Sequence, residues 1–273
     1  MRLTRRALLA GSAIAAGTGS LGWSLPPGAA PKRRAGDRLW YRQPASEWIE
    51  ALPVGNGRIG AMVFGGTATE RLQLNEDTLW SGGPYNPVNP EARSALPEVR
   101  RLIDAGQFAE AQKLADAKLM ARPLSQMAYQ TLGEVTITMP DLGPVDPQGY
   151  LRELDLDTAL ASTSFTADGV TWRREVVASP DQQVIAVHLS ADKPGAVSCS
   201  IALTSPHRAQ LKTERDTLIL TGRNGGAHGV EGALRFEARA RVLPQGGSIE
   251  AMTDAIRVSG ADAVTILIAM ATS

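Results

Sequence analysis

Residues 159 to 189 read ALASTSFTADGVTWRREVVASPDQQVIAVHL, and this stretch decides the fold class. Between Val170 and Ala178, the residues Val170, Trp172, Arg174 and Val176 alternate with Thr171, Arg173 and Glu175, a period of two that belongs to a β-strand. Apolar runs flank it at Ala159 to Thr166 and at Val184 to Leu189. The link Ala167-Asp168-Gly169 predicts a tight hairpin turn, because Asp-Gly supplies the positive φ such turns require. Three antiparallel strands follow from this stretch alone.

The same pattern extends in both directions. Downstream it predicts strands at Val197 to Leu203, Thr217 to Thr221, Leu234 to Val242, Ala255 to Val258 and Val264 to Ala269. Upstream it predicts Gly133 to Met139 and Arg152 to Asp157, with an early hairpin of Ala61 to Phe64 and Arg71 to Leu74. Gly82-Gly83-Pro84 to Pro90 is a loop. The helical spacing sits near residues 95–120: Val99, Leu102 and Ile103 share one face, Gly106 is a C-cap, and Phe108, Ala111, Ala115 and Leu119 continue in a second helix. About a dozen strands at this spacing indicate an all-β, two-sheet sandwich with a short helical insertion that covers one end or face of the sheets. No repeat of fixed period is present. The chain stops at Ala269 to Ser273, directly after an apolar strand, and that end reads as cut.

Composition narrows the function classes. Twenty-eight basic residues balance 28 acidic ones, so the formal net charge is zero. Nucleic acid and anionic membranes, which favour a basic excess, are therefore not the expected partners. Cys199 is the single cysteine, which rules out an internal disulfide and a cysteine metal cluster. Its apolar setting, AVSCSIAL, suits a small core residue better than a nucleophile.

Met1 to Ala30 reads as an address rather than as fold. Arg2, Arg5 and Arg6 precede a weakly apolar Ala- and Gly-rich stretch that ends in Pro26-Pro27-Gly28-Ala29-Ala30. The pair in Thr4-Arg5-Arg6-Ala7-Leu8-Leu9 resembles a twin-arginine export signal, which implies a periplasmic or extracellular destination. So many glycines and a double proline make a poor membrane span. Residues 31–273 are then the mature domain.

Few motifs carry chemistry. VGNGRIGAMVFGG (Val54 to Gly66) lacks the GxxxxGK[ST] spacing of a phosphate loop, and a turn leading into a strand accounts for it better. In LNEDTLWSGG (Leu74 to Gly83), the adjacent Glu76 and Asp77 point to opposite faces of a strand and make a poor acid–base pair. Asn75, Glu76 and Trp80 are candidates for a sugar site. The structural alternative, with Asn75 and Asp77 shaping a turn and Trp80 in the core, is the stronger account. His188, His207 and His228 show no metal-ligand spacing, and no GxSxG occurs. Asn224 to Gly229 reads as a hairpin connection that also has the flexibility to border a cleft. No catalytic residue, metal or cofactor is assigned.

Trp40-Tyr41, LPVGNGRIGAMVFGG (Leu52 to Gly66), ERLQLNEDTLWSGGP (Glu70 to Pro84) and YQTLGEV (Tyr129 to Val135) occur in that order. They are followed by Tyr150 to Phe165 and Val170 to Leu189. Together they resemble the N-terminal domain of glycoside hydrolase family 95, the α-L-fucosidases with some α-L-galactosidases. One departure is Thr131, where the family pattern suggests proline. The resemblance implies a super-sandwich followed by a linker and an (α/α)6 barrel that carries the catalytic acid and base. No position here matches those barrel residues. The expected partners are that barrel, absent from this chain, and through it a fucosylated glycan. The substrate-rim candidates are Asn56, Arg58, Asn75, Glu76 and Trp80.

Two other classes stay open: a free-standing carbohydrate-binding module, and a structural or adhesive sandwich at the cell surface. If the leader acts through its twin arginines, replacing Arg5 and Arg6 by Lys traps a reporter fusion in the cytoplasm. Undiminished export of the double variant sinks the assignment.

Overall fold

The computed structural model describes residues 37–273, so the export reading of residues 1–30 lies outside the described residues. Sixteen strands form two antiparallel sheets. The nine-stranded sheet runs β1 (Arg38–Tyr41), β6 (Leu151–Asp155), β7 (Leu160–Ala167), β8 (Val170–Ser179), β9 (Val184–Ala191), β16 (Ala263–Thr272), β13 (Arg235–Gln245), β12 (Thr217–Arg223) and β11 (Arg208–Glu214). The seven-stranded sheet runs β14 (Ser248–Ala251), β15 (Ala255–Ala261), β10 (Val197–Thr204), β5 (Gly133–Thr138), β4 (Thr69–Glu76), β3 (Ile59–Val63) and β2 (Leu52–Gly55). The all-β sandwich expected from the sequence is the fold observed.

Alternation makes the core. Leu72 and Leu74 of β4, Val135 and Ile137 of β5 and Ile201 of β10 face inward from the smaller sheet. They join one cluster with Phe165, Ile185, Leu189, Ile266 and Ile268 of the larger sheet. Each such side chain contributes roughly 1.5–3 kcal/mol on full burial. Cys199 lies in this core as expected, and burial pushes its thiol up to about 12, which leaves it protonated and inert at neutral pH. The β7–β8 turn is also as read: Ala167 pairs with Val170, and Asp168 (φ 48°) and Gly169 (φ 73°) both take the positive φ of a type I′ turn.

Four strands escape the sequence pattern, namely β1, β2, β11 and β14, and these are the four sheet edges. An edge strand pairs on one side only and tolerates polar, exposed or proline positions. Thus β14 is exposed throughout, and β2 carries Pro53 opposite Met62. The glycine-rich Val54 to Gly66 therefore does have a strand leading into it. It spans the end of β2, the turn at residues 56–58, and β3.

The helical insertion is a hairpin of α1 (Ala92–Asp104) and α2 (Phe108–Lys118), with Gly106 at φ 72° just past the first helix as a C-terminal stop. Val99, Leu102 and Ala111 form a small core separate from that of the sandwich. The expectation that Ile103 and Phe108 share this buried face is corrected, since both are exposed. The hairpin packs on itself rather than over a sheet face, and Glu91 pairs with Lys118 and Arg122 to close its base. No helix among the described residues is long and apolar enough to cross a membrane.

A charge pair sits between the sheets. Glu70 of β4 and Arg174 of β8 form an ion pair with side chains 0% and 1% exposed. The second Glu70 oxygen accepts from the amides of Gly65 and Arg71, both at 2.9 Å. Arg174 Nη1 also donates to the Gly66 carbonyl at 2.8 Å, and the Tyr150 hydroxyl donates to that of Gly65 at 2.6 Å. Gly66 admits nothing larger, since a Cβ there would lie 1.9 Å from the Thr69 carbonyl oxygen. Nearby, buried Arg152 donates to the carbonyls of Gln43 (2.8 Å) and Glu50 (2.7 Å), which fixes the chain as it passes from one sheet to the other.

Removing one member of a buried pair leaves an uncompensated charge. Arg174→Met therefore lowers stability by about 3–5 kcal/mol in urea unfolding. A loss below ~1 kcal/mol, the level of a surface pair, shows that Glu70 does not depend on Arg174.

Candidate groove beside Trp80

The sequence candidates separate into two groups. Asn56, Arg58 and Glu76 come together as a stitch between the sheets. The Asn56 side-chain oxygen accepts from the amides of Arg58 (3.1 Å) and Ile59 (3.0 Å), and its nitrogen donates to the Ser179 carbonyl at 2.9 Å. Arg58 reaches Gln183 at 2.7 Å, the Met270 carbonyl at 2.8 Å and the Glu76 carboxylate at 3.5 Å. These bonds anchor the β2–β3 turn to the β8–β9 turn and to β16.

Glu76 is 3% exposed, and its other oxygen accepts from the Thr78 amide (2.9 Å) and hydroxyl (2.6 Å). Its local task is to fold the turn at the end of β4. Asn75, expected to shape that turn, instead lies within β4 opposite Gly60, so the turn-forming role belongs to Glu76.

Trp80 is the second correction. It is 46% exposed rather than in the core, since the chain has left β4 before reaching it. Its indole nitrogen donates to the Asp77 carbonyl at 3.0 Å, and its ring meets Tyr129 edge-on with centroids 5.4 Å apart. The Tyr129 hydroxyl donates to the Glu76 carbonyl at 3.1 Å. Burial, followed by the nearby charges of Glu76 and Asp77, raises the Tyr129 phenol above its ordinary range.

Trp80 lines a groove of about 600 Å³. One wall is the loop from Trp80 to Tyr85, another is Gln126 and Met127, and the third is Ala233 and Leu234, with Thr78 and Ser273 closing the end. The loop is held from three sides. The Ser81 amide donates to the Ala128 carbonyl (2.8 Å), the Gly82 amide to that of Gly225 (2.8 Å), and the Ala233 amide to that of Gly82 (3.1 Å). Asn224, 6% exposed, donates to the carbonyls of Trp80 (2.6 Å) and Gly82 (2.7 Å). Gly82 takes φ 76°, and a Cβ there would strike Met127 Sδ at 2.7 Å.

The β12–β13 connection, read from sequence as a hairpin link able to border a cleft, supplies the clamp Asn224 and the groove residues Ala233 and Leu234. The signal was an Asn beside two glycines, which marks a turn without naming its distant partners. Tyr85 and Met127 were likewise not singled out, because they come to one groove only once their loops are folded.

No Asp, Glu, Lys, Arg, His or Cys side chain lines this groove. Among the described residues no three His, Cys, Asp or Glu side chains gather as a metal site. His207 Nε2 lies 2.8 Å from the Thr131 carbonyl and the ring packs edge-on to Phe236, a structural placement.

The family model described as "Glycosyl hydrolase family 65, N-terminal domain" matches residues 39–273. Alpha-L-fucosidase 2 of Arabidopsis thaliana is 37% identical over 188 residues, which cover 68% of this chain and 22% of that protein. "Probable alpha-fucosidase A" of Aspergillus niger is 36% identical over 168 residues, covering 58% of this chain and 20% of its own. The chain thus spans about a fifth of the length of these relatives. A solved human-microbiome chain named after kojibiose phosphorylase aligns over 86% of this chain and 32% of its own, at a TM-score of 0.45 and 10% identity. The matching family model bears the number 65 where the motifs resemble family 95, and both describe the N-terminal domain of a glycoside hydrolase. With a match that runs from β1 to the last residue, the chain belongs to the glycosyl hydrolase family 65 N-terminal domain family.

Proposed function

We propose that this chain is the non-catalytic N-terminal domain of an exported α-L-fucosidase of the family 95 kind, and that it packs against a catalytic (α/α)6 barrel in the same polypeptide. The observation that carries the non-catalytic part is the lining of the groove. Glycoside hydrolysis needs two carboxyl groups placed across one scissile bond. The groove presents none, and Glu70 and Glu76, the buried glutamates, are each held by an arginine. The α-fucosidase part is supported by the names of the relatives and by the LNEDTLWSGGP motif.

Packing against a second body is supported by the exposed apolar surface. Trp40 (60%), Trp48 (54%) and Ile49 (79%) cluster in sequence around β1 and the 3-10 turn at Trp48–Glu50, and Leu96, Ile103 and Phe108 stand exposed on the helical hairpin. Large apolar side chains left this exposed are candidates for burial against a second body. The twin-arginine leader at Arg5 and Arg6 supports the export part. A second reading, a carbohydrate-binding sandwich acting without a barrel, is favoured by the rigidly held, exposed Trp80.

Two measurements test this function. The purified chain releases no p-nitrophenol from p-nitrophenyl α-L-fucoside above a heat-killed control; turnover by contaminant-free protein overturns the non-catalytic reading. In light scattering across a concentration series, the chain self-associates through its uncovered apolar surface. A strictly monomeric, highly soluble species moves the reading to the free-standing module.

A further inference from the structure

We infer that the groove beside Trp80 is a binding subsite for a neutral pyranose, which stacks on the Trp80 indole. The inference rests on the reading of this chain as a glycoside hydrolase domain and adds a ligand-contacting role to it.

Rigidity is the first argument. One hydrogen bond from the indole nitrogen and an edge-on tyrosine hold the ring of a residue that is nearly half exposed, and five further bonds fix the backbone of its loop from Trp80 to Gly82. Loop order of this kind costs conformational entropy, and an exposed Trp recovers little of it by burial. A platform fixed before its ligand arrives avoids the ordering cost at the moment of binding.

Chemistry is the second. An indole face carries negative charge density, and the axial C–H bonds of a pyranose present a positively polarised, apolar face of matching width. Tyr85, 40% exposed, adds a second ring on the same loop, while the Gln126 amide supplies polar atoms in the lining for sugar hydroxyls. Met127, Ala233 and Leu234 form an apolar wall suited to the methyl group of a 6-deoxy sugar.

Charge is the third. The groove offers no Lys, Arg or His side chain, so phosphates and uronates find no countercharge to offset their desolvation there. Its volume of about 600 Å³ falls within the range of small-ligand sites.

The test is saturation-transfer NMR on the 273-residue chain with methyl α-L-fucopyranoside, paired with tryptophan emission. Transfer to the ring C–H and C6 methyl protons is expected, with a sugar-dependent change in emission. Trp80→Ala weakens binding at least about tenfold, ~1.4 kcal/mol, while Trp48→Ala leaves it unchanged. Circular dichroism verifies folding. If Trp80→Ala is unfolded, Tyr85→Ala decides, with weaker binding as the expected result. Absence of transfer from the wild-type chain to the sugar at millimolar concentration, or undiminished binding by the deciding variant, overturns the subsite. The two readings fail separately. Binding accompanied by hydrolysis removes the non-catalytic assignment and keeps the subsite, whereas neither binding nor hydrolysis removes the subsite alone.

Discussion

Glu70 and Arg174 face each other across the sandwich, both buried from bulk solvent, so each holds the other's strand in place. The consequence is register. Glu70, Leu72, Leu74 and Glu76 all point inward from β4, while Arg71, Gln73 and Asn75 point outward. A slip of one residue would bring Arg71 and Gln73 inside and strand Arg174 without a carboxylate. The pair is not a simple gain in stability. Arg174 Nε and Nη2 are buried with no hydrogen-bond partner among the described residues, and each such group costs about 1–3 kcal/mol. Its value lies in making one alignment of the sheets far better than its neighbours.

The register set by Glu70 propagates along the strand. Six residues later it delivers Glu76 to the end of β4, where the carboxylate bonds Thr78 and turns the chain. Trp80 then emerges beside the sheet rather than between the sheets. In the other direction, the Glu70 carboxylate fixes Gly65, and through the Tyr150 hydroxyl this turn is tied to the larger sheet just before β6. One inward-facing strand therefore links the polar centre of the core with the groove.

What the sequence made legible follows from the same geometry. The twelve strands read from alternation have neighbours on both sides, so burial imposes a clean period of two on them. The four edges lack that constraint, and their composition drifts toward charge, proline and exposure. The ring of Trp80 was assigned to the core because a large aromatic near an apolar run usually belongs there. Its exposure depends on bonds from Asn224, 144 positions away, which no local pattern reports. Asn56, Arg58 and Glu76 were legible as polar residues with a purpose. That the purpose is joining two sheets appears only when Ser179, Gln183 and Met270 arrive beside them.

The placement of charge divides labour within the molecule. A carboxylate in the core of a sandwich needs a cationic partner or amide donors to offset its desolvation, and Glu70 and Glu76 have both. A carboxylate so engaged is spent on contacts that hold the two sheets together. Catalytic acids and bases in glycoside hydrolysis need the opposite, an unencumbered carboxyl aimed at open space. The sandwich thus commits Glu70 and Glu76 to architecture, while the groove beside Trp80 is lined by aromatic, apolar and amide surface.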